Sequence, residues 1–352
     1  MKKVATLLGL SLAFCAFALL LFEIAYRYQW VDTYRPELVL ANPELQSGHE
    51  AGRRKLLIMG DSFSVGSFAY PALLRARQHR FDVVSAAIPG TGVIEALIVA
   101  PRRFARFDPS IFIYQIYVGN DLLNIRYPVN WRMVSPARNV YWTVSRRVRS
   151  LAFLNYRLGQ MRAAWRPADV APEWPPQRVA SLLEEPSAFI DSEPFDPDRY
   201  TRRVKIYLQA EPQYLERHIL ASGSRRHDFE QYLQKLAVLL SFCEAAKCQA
   251  YLLLIPHASQ VHERYLHHAQ ALGAEFSDPE QILATQNPFA DGLGRMLEET
   301  GIPNARILDV RDQLREKEAQ GMHVYYQNDP HLSPYGQTVV TDYLLAKLDE
   351  HP

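Results

Sequence analysis

The sequence predicts a three-layer α/β/α sandwich with a mainly parallel sheet. Two observations lead to this prediction: short apolar runs alternate with helical patterns along most of the chain, and glycine-containing or polar motifs stand at the ends of several runs. Short, mostly apolar runs are typical of parallel strands, because helices cover both faces of a parallel sheet. In such folds ligands bind beyond the carboxyl ends of the strands.

The chain begins with a candidate membrane anchor. Lys2 and Lys3 precede an uncharged apolar stretch over residues 4–22, whose length suits a bilayer-spanning helix. A cleavable signal peptide is the alternative, although the stretch is long for such a peptide and no small-residue cleavage site follows it. With both lysines in the cytoplasm, everything after Tyr26 is expected to be exported. This predicts a single-pass membrane protein that contacts the bilayer through its N-terminal helix, with its folded domain outside the cytoplasm (in the periplasm if the source is bacterial).

The elements behind the anchor follow one another in a regular order. Strands are predicted, in chain order, at residues 55–59, 81–86, 111–118, 249–255 and 305–310. Helices are predicted at residues 70–77, 94–104, 228–246 and 334–348. The alternation of strand and helix is what favours parallel pairing.

Composition indicates one large folded domain behind the anchor. Hydrophobic residues make up 48% of the chain and charged residues 22%, which is ordinary for a globular protein. The net charge of +1 argues against a nucleic-acid partner. We expect a cytoplasmic N-terminus and transmembrane anchor over 1–26, a linker over 27–53, and a domain in two parts, 54–125 and 228–352, separated by an insertion or cap region over 126–227.

The predicted insertion interrupts the alternation and is rich in tryptophan, proline and arginine. Its tryptophans are Trp131, Trp142, Trp165 and Trp174, and its proline-rich segment contains Pro167, Pro172, Pro175 and Pro176. The tryptophans either build a small core or stack on sugar rings. Its short basic cluster, Arg146, Arg147 and Arg149, is either a solvated face or a contact for anionic lipid head groups or an acidic glycan.

Cysteine and histidine give weaker signals. Outside the anchor only Cys243 and Cys248 are present, and they can form a disulfide only if the helix that carries them ends between them. Otherwise they are two small buried residues. Histidines are dense at His262, His267 and His268, but no matching carboxylate or cysteine spacing supports a metal site, so we interpret them as solvated residues.

Four loops carry residue types that suit nucleophilic catalysis. Gly60-Asp61-Ser62 follows the first predicted strand, Pro89-Gly90-Thr91-Gly92 the second and Gly119-Asn120-Asp121 the third, while Asp329-Pro330-His331 lies just before the last helix. Each motif alone also suits an ordinary turn or helix cap. Their order along the chain, each at a strand end or ahead of a helix, favours the catalytic interpretation.

These motifs resemble those of the SGNH (GDSL-like) hydrolase superfamily, in its membrane-anchored, extracytoplasmic branch. The resemblance covers roughly residues 54–125 and 249–348. It implies that Ser62 is the nucleophile, His331 the base and Asp329 its acidic partner. Many members place the aspartate three residues before the histidine, where this chain has Asn328, whereas Asp329 lies two before His331.

The resemblance also implies an oxyanion hole. The backbone N–H groups of Ser62 and Gly90 and the side chain of Asn120 are the expected donors, with Asp61 and Asp121 supporting the loops. The chemistry is consistent, because a serine hydroxyl needs a base within hydrogen-bond reach and a third group that orients the base. Gly90 suits its position since a residue without a Cβ lets substrate approach the backbone. No cofactor and no metal are expected.

The predicted function is serine-dependent ester hydrolysis at the cell envelope. The resemblance implies O-acetyl groups of a polysaccharide or other glycan as the substrate class. An O-acyltransferase that acts on exported polysaccharide, with a membrane-bound acyltransferase as a possible partner, would use the same residues. A lysophospholipase or thioesterase and a non-catalytic polysaccharide-binding assembly protein are further alternatives.

Overall fold

The computed structural model describes residues 2–42, 53–128, 130–165, 194–284, 286–302 and 304–350. The chain divides into two compact units, one containing residues 1–33 and 135–173 and the other residues 34–134 and 174–352. The strands are β1 Arg54–Met59, β2 Phe81–Ser85, β3 Ile111–Tyr117, β4 Gln249–Ile255 and β5 Ala305–Asp309. The helices are α1 Lys2–Arg27, α2 Arg35–Ala41, α3 Tyr70–Arg77, α4 Val93–Phe107, α5 Trp131–Val134, α6 Pro136–Ser145, α7 Arg149–Trp165, α8 Arg202–Ala210, α9 Tyr214–Ile219, α10 Arg226–Ala245, α11 Glu263–Ala271, α12 Pro279–Leu283, α13 Pro288–Thr300, α14 Arg311–Ala319 and α15 Pro334–Asp349.

The larger unit contains a five-stranded, fully parallel sheet, as predicted. The strand order is β2-β1-β3-β4-β5, and every neighbouring pair is parallel. β1 pairs directly with β3, with Leu56 opposite Ile111 and Met59 opposite Tyr114. The chain places β2 on one side of β1 and places β3, β4 and β5 in turn on the other side. The β1/β3 pair is therefore the point where the strand order reverses, and α/β sheets of this kind bind ligands there.

Helices cover both faces of the sheet. On one face α3, α14 and α15 pack on alternate strand residues such as Leu56, Ile58 and Ile113. On the other face α4 and α10 pack together, and the Phe104 ring of α4 lies 5.0 Å from Phe112 of β3. Both faces of β3 are therefore covered, and all seven of its residues are buried. The predicted three-layer α/β/α class is confirmed.

The region predicted as an insertion contributes to both units. α6 and α7 belong to the smaller unit, whereas α5, α8 and α9 belong to the larger one. In the larger unit Trp131 packs among Tyr127 and Tyr207, with ring centroids about 6 Å apart, so it is a core residue. A buried ion-pair network joins Arg225 to Glu211 and Asp228 below this cluster.

The other tryptophans of this region differ from Trp131. Trp142 packs edge-on against Tyr141 with centroids 4.5 Å apart, while Trp165 is 79% exposed. Trp174 and the proline-rich segment lie outside the described residues.

The predicted linker contains structured residues of the larger unit. It includes α2, and the Asn42 side chain that follows α2 joins it to β2. Asn42 Nδ2 donates to the Ser85 carbonyl at 2.6 Å, and its Oδ1 accepts from the Ser85 N–H at 2.8 Å. The chain before β1 is thus held to the edge strand of the sheet.

The smaller unit is built on α1. Residues 6–27 of this helix are long and apolar enough to cross a membrane, with a mean hydropathy of 2.4, and their apolar side chains are exposed in this structure. At the end of the apolar stretch Glu23 accepts the backbone N–H groups of Arg149 and Ser150, at 2.9 and 2.7 Å, and so caps α7. Arg146 and Arg147 are exposed beside this cap.

The two cysteines of the larger unit form a disulfide. α10 ends at Ala245, and the chain turns back at Lys247, which has a left-handed φ of 55°. Cys243 and Cys248 therefore lie with their Cα atoms 5.1 Å apart and are bonded. The helix thus ends between the two cysteines, which is the condition that the sequence sets for a disulfide.

The histidine-rich segment is only partly solvated. His262 caps α11 by accepting the Arg264 N–H at 3.1 Å, and His267 is exposed. The expectation of a solvated side chain is wrong for His268, because its ring stacks on Phe195 at 3.9 Å.

We expect one glycine of α15 to be essential for stability. Gly336 lies where a Cβ would come 2.0 Å from the Val324 carbonyl oxygen, a backbone atom that cannot move aside without disturbing the chain before His331. Gly336→Ala should lower the free energy of unfolding by about 2–4 kcal/mol. Gly294→Ala in α13 is the matched control, because a Cβ there meets nothing within 4 Å and should stabilise the helix by up to about 1 kcal/mol. Denaturant unfolding measures both, and equal effects would contradict the packing described.

Candidate active site

The Ser62 turn follows β1 directly. The strand ends at Met59, and Ser62 begins a 3₁₀ turn whose N-cap is Asp61: its Oδ1 accepts the Phe63 N–H at 3.0 Å. Gly60 is required at the start of the turn, since a Cβ there would lie 2.5 Å from Gln115 Oε1. The turn therefore presents Ser62 at the carboxyl edge of the sheet.

Gln115 fixes this turn from the neighbouring strand. It is the one amide side chain of β3, whose other residues are isoleucine, phenylalanine and tyrosine, and it is buried. Its Oε1 accepts from the Asp61 N–H and from the Ser64 hydroxyl, both at 3.0 Å. Because a buried polar group is costly unless it is bonded, these two bonds hold the turn and β3 in one arrangement.

Ser62, His331 and Asp329 form a hydrogen-bonded chain. Ser62 Oγ lies 2.8 Å from His331 Nε2, and His331 Nδ1 contacts Asp329 Oδ1. The Asp329 carboxylate also accepts a hydrogen bond from the His331 backbone N–H at 3.0 Å, so two hydrogen bonds join these residues within one loop. The His331 ring lies 4.8 Å from that of Phe63, the residue after the serine. This is the geometry of a nucleophile, its base and the group that orients the base.

Asn328 has a different function from Asp329. Its Oδ1 accepts the Asp196 N–H at 2.8 Å, and its Nδ2 donates to the Pro194 carbonyl at 3.0 Å. Asn328 therefore holds the chain that precedes α8, and its side chain is turned to that segment. The geometry favours Asp329 as the partner of His331.

Thr201, which sequence analysis did not identify, completes the environment of Asp329. Its hydroxyl donates to Asp329 Oδ2 at 2.7 Å, and its N–H donates to the Asn328 carbonyl at 3.3 Å. Both oxygens of the carboxylate are thus bonded. Thr201 lies about 130 residues from Asp329 in an insertion with no motif, so no local signal in the sequence could have identified it.

The charges of Asp329 and His331 stabilise each other. Burial works to raise the pKa of Asp329, but the bonds with His331 and Thr201 outweigh it and the pKa is lowered. Burial works to lower the pKa of His331, but the Asp329 bond and charge, together with the charge of Asp61, raise it above 6.5. Asp329 is therefore ionised at neutral pH, and His331 accepts a proton more readily than a free imidazole.

Gly90 and Asn120 lie on the loops that follow the neighbouring strands. Gly90 has a φ of 69°, which favours glycine, and its loop is held to the Ser62 turn because the Ile88 N–H donates to the Gly60 carbonyl at 3.0 Å. Asn120 follows β3, and its N–H donates to the Tyr117 carbonyl at 3.4 Å. Asn124 joins the two loops by donating to the Thr91 carbonyl at 3.2 Å. All three loops meet at one edge, as parallel pairing predicts.

Asp61 and Asp121 are buried beneath this edge. Asp121 Oδ2 accepts from the Tyr232 hydroxyl at 2.9 Å and from the Tyr117 N–H at 3.3 Å. Burial raises the pKa of both carboxyls, and the charge of Asp61 raises that of Asp121 further. The role of Asp121 that follows from these contacts is to hold the Asn120 loop to β3 and α10.

His257, two residues after the end of β4, supports the Asn120 loop. Its ring stacks on Tyr117 with centroids 6.1 Å apart and lies so close to Gly119 that a Cβ there would be 2.7 Å from it. Its Nδ1 accepts the Ser259 N–H at 3.2 Å. Burial lowers the pKa of His257 to about 4, so it packs as a neutral ring.

A small cavity of about 20 Å³ lies on the Asp329 side of the site. Its walls include Tyr200, Leu208 and Leu215 from the insertion and Tyr265 from α11. A volume of this size holds about one water molecule.

In the described part of the chain, histidine, cysteine, aspartate and glutamate side chains form no group of three or more that could hold a metal ion.

Several solved structures are similar to this chain at low identity. The acetyl xylan esterase AlAXEase is 9% identical, over 84% of this chain and 99% of that one, with a TM-score of 0.42. The acetylxylan esterase Axe2 from Geobacillus stearothermophilus is 13% identical, over 85% and 96%, with a TM-score of 0.41. TesA is 14% identical, over 84% and 99%, with a TM-score of 0.39. No protein-family model and no curated protein matches the chain.

The pair His331–Asp329 predicts a specific pH dependence. If His331 is the base, kcat/KM rises with pH as its imidazolium loses a proton, with a midpoint above 6.5 because Asp329 raises that pKa. Asp329→Asn removes the charge and should move the midpoint to lower pH while reducing turnover by roughly 10²–10⁴-fold. The control is Asn328→Ala, which should leave the midpoint in place. A shifted midpoint in Asn328→Ala and an unshifted one in Asp329→Asn would contradict the assignment of the acid.

The oxyanion assignment predicts a contrast between two adjacent residues. Asn120→Ala should lower kcat by about a hundredfold or more with little change in substrate binding, because an oxyanion donor acts only in the transition state. Asp121→Asn should be far milder, since an amide oxygen can still accept from Tyr232 and the Tyr117 N–H. Steady-state kinetics on a soluble aryl ester separates the two effects. Weakened substrate affinity with normal kcat in Asn120→Ala would assign the residue to substrate binding.

Proposed function

We propose that this protein is a serine esterase that removes short acyl groups, most simply O-acetyl groups of a cell-envelope glycan. The observation that carries the proposal is the distance of 2.8 Å between Ser62 Oγ and His331 Nε2, together with the hydrogen bond between His331 Nδ1 and Asp329 Oδ1. The motif order that resembles SGNH hydrolases supports the same conclusion, and two of the similar solved structures described above are named as acetylxylan esterases.

In this mechanism the ester carbonyl lies over Ser62 with its oxygen toward Gly90 and Asn120. His331 takes the proton of the Ser62 hydroxyl as its oxygen attacks the carbonyl carbon, and Asp329 stabilises the imidazolium that forms. The donors of the oxyanion hole stabilise the negative oxygen of the tetrahedral intermediate. His331 then donates its proton to the sugar oxygen as the bond from that oxygen to the carbonyl carbon breaks, so that the sugar leaves as an alcohol and an acyl-enzyme remains. Water attacks this ester in the second half of the reaction and releases acetate.

The preference for short acyl groups follows from the motif resemblance, which implies O-acetyl groups as the substrate. An apolar tunnel beside Ser62 would support the lysophospholipase or thioesterase alternative.

Transfer of the acyl group to a sugar hydroxyl is a second candidate function. The side chains of His331 and Asp329 are 36% and 40% exposed, which would let an acceptor larger than water approach the base. Hydrolysis and transfer differ only in the acceptor, and the same residues serve both.

We further propose that α1 anchors the protein in a membrane, with the esterase unit outside the cytoplasm. The length and hydropathy of residues 6–27 support an anchor, and the two lysines ahead of them support this orientation.

One experiment tests the proposal in its full form. The full chain is expressed, the membrane fraction is washed at high salt, and acetate release from acetylated glycans is compared with hydrolysis of aryl esters of increasing acyl length. We expect activity to stay with the membranes, to fall as the acyl chain lengthens, and to drop at least a thousandfold in Ser62→Ala and in His331→Ala, with the double variant little worse.

Ser241→Ala is the control, because it removes an exposed serine hydroxyl that donates to the Val238 carbonyl within α10, and it should leave turnover unchanged. Turnover that survives Ser62→Ala, or a preference for long acyl chains, would overturn the esterase proposal. A shortened soluble protein would overturn the anchor. Acetate that appears on an added glycan acceptor in place of free acetate would identify the protein as a transferase.

A further inference from the structure

The start of α8 reaches from the triad to the oxyanion loop. Thr201, the residue before the helix, bonds Asp329 Oδ2 at 2.7 Å. Arg203, two residues later, extends to the Gly90 loop: a Cβ built on Gly90 would lie 3.6 Å from Arg203 Nη1 and would meet nothing else within 4 Å. A guanidinium therefore lies directly beside Gly90, a predicted oxyanion donor.

The Arg203 side chain is held in place by an aromatic residue. Its Nε donates to the Tyr207 hydroxyl at 2.8 Å, and its guanidinium carbon lies 5.7 Å from the centre of the Tyr207 ring. Tyr207 is itself buried beside Trp131. The positive charge is thus presented by a fixed group, which lowers the entropy lost when a ligand binds.

Arg203 differs from the other arginines of this region in its partners. Arg225 and Arg126 are both paired with Asp228, and Arg225 also with Glu211. Within the described residues Arg203 forms no ion pair. The pKa of Arg203 is raised, chiefly by the neighbouring Tyr207. The guanidinium is therefore a cation beside the Gly90 loop, with its Nη1 close to the Gly90 backbone.

From this geometry we infer that Arg203 is a specificity residue that binds a carboxylate on the substrate, so that the preferred glycan carries its acetyl group close to an acidic sugar. The inference rests on the proposed esterase function. A substrate whose carbonyl oxygen accepts from the Gly90 N–H would bring its sugar close to Gly90, the residue beside which Arg203 Nη1 lies. A guanidinium recognises a carboxylate through two parallel N–H donors, and this geometry is not available to lysine.

The test compares two substrates that differ in charge alone. Acetylated oligosaccharides of a uronic acid are prepared, and a matched set has its carboxylates reduced to hydroxymethyl groups. For the wild-type protein we expect kcat/KM for acetate release to be about tenfold higher on the charged set, a size that suits a charge-assisted bond at a partly exposed site. The preference should weaken in 0.5 M salt, since the Debye length falls to a few ångströms.

Variants at two adjacent arginines identify the source of the preference. Arg203→Gln should bring the ratio between charged and neutral substrates to about one, chiefly through loss on the charged substrate. Arg203→Lys should keep only part of the ratio. Arg202→Gln is the matched control, an exposed neighbour on the same helix that should retain the full ratio. Unchanged thermal unfolding of the Arg203 variants shows that the loss is local.

Each contrary outcome has a distinct meaning. Equal, Ser62-dependent rates on both substrates would overturn the inference and leave the esterase function standing. An equal loss on both substrates in Arg203→Gln would assign the guanidinium to oxyanion stabilisation and also overturn it. Absence of Ser62-dependent acetate release from any substrate would overturn the proposed function, and the inference with it.

Discussion

The direct parallel pairing of β1 with β3 is the constraint on which the candidate site depends. Met59, the last residue of β1, pairs with Tyr114, and β3 continues for three residues to Tyr117, so the loops that carry Ser62 and Asn120 both follow the carboxyl edge of the sheet. β2 pairs with the other side of β1 and brings the Gly90 loop to the same edge. If β1 and β3 were separated by another strand, which at about 4.8 Å per strand would double their distance, the nucleophile and the predicted amide donor could not act on one carbonyl group.

This pairing is maintained by polar groups inside an apolar sheet. Gln115, Asp61 and Asp121 are buried at the point where β1 and β3 end, and each finds hydrogen-bond partners on a neighbouring element. Unpaired, such groups would cost a few kcal/mol each. Because Gln115 Oε1, Asp61 Oδ1 and Asp121 Oδ2 are bonded in a single arrangement of strands and turns, they specify the position of the Ser62 turn more narrowly than apolar packing would. The same network leaves little tolerance for substitution at Gly60 and Gly119, where added atoms would meet Gln115 and His257.

Sequence analysis predicted the sheet well because each strand is a local pattern. The five apolar runs match the observed strands to within one or two residues, and the four motif loops were found because each contains glycine or a polar residue at a strand end or a helix start. Thr201 and Arg203 could not be found in this way, since their contacts join an insertion to loops more than a hundred residues away in the chain. The division of residues 126–227 between two units had no signal either, because aromatic residues and arginines are spread over the whole segment. Gln115 could have been identified from the sequence, because it is the one amide in a strand of isoleucine, phenylalanine and tyrosine.

The central claim is that Ser62 is a nucleophile activated by His331, and covalent labelling tests it most directly. A fluorophosphonate reacts with an activated serine and leaves a stable adduct, which peptide mass spectrometry locates to a residue. The account predicts one adduct per chain, on Ser62, which is absent when His331 is replaced by alanine in a protein that remains folded. An adduct on another residue, or equal labelling of Ser62 without His331, would contradict it.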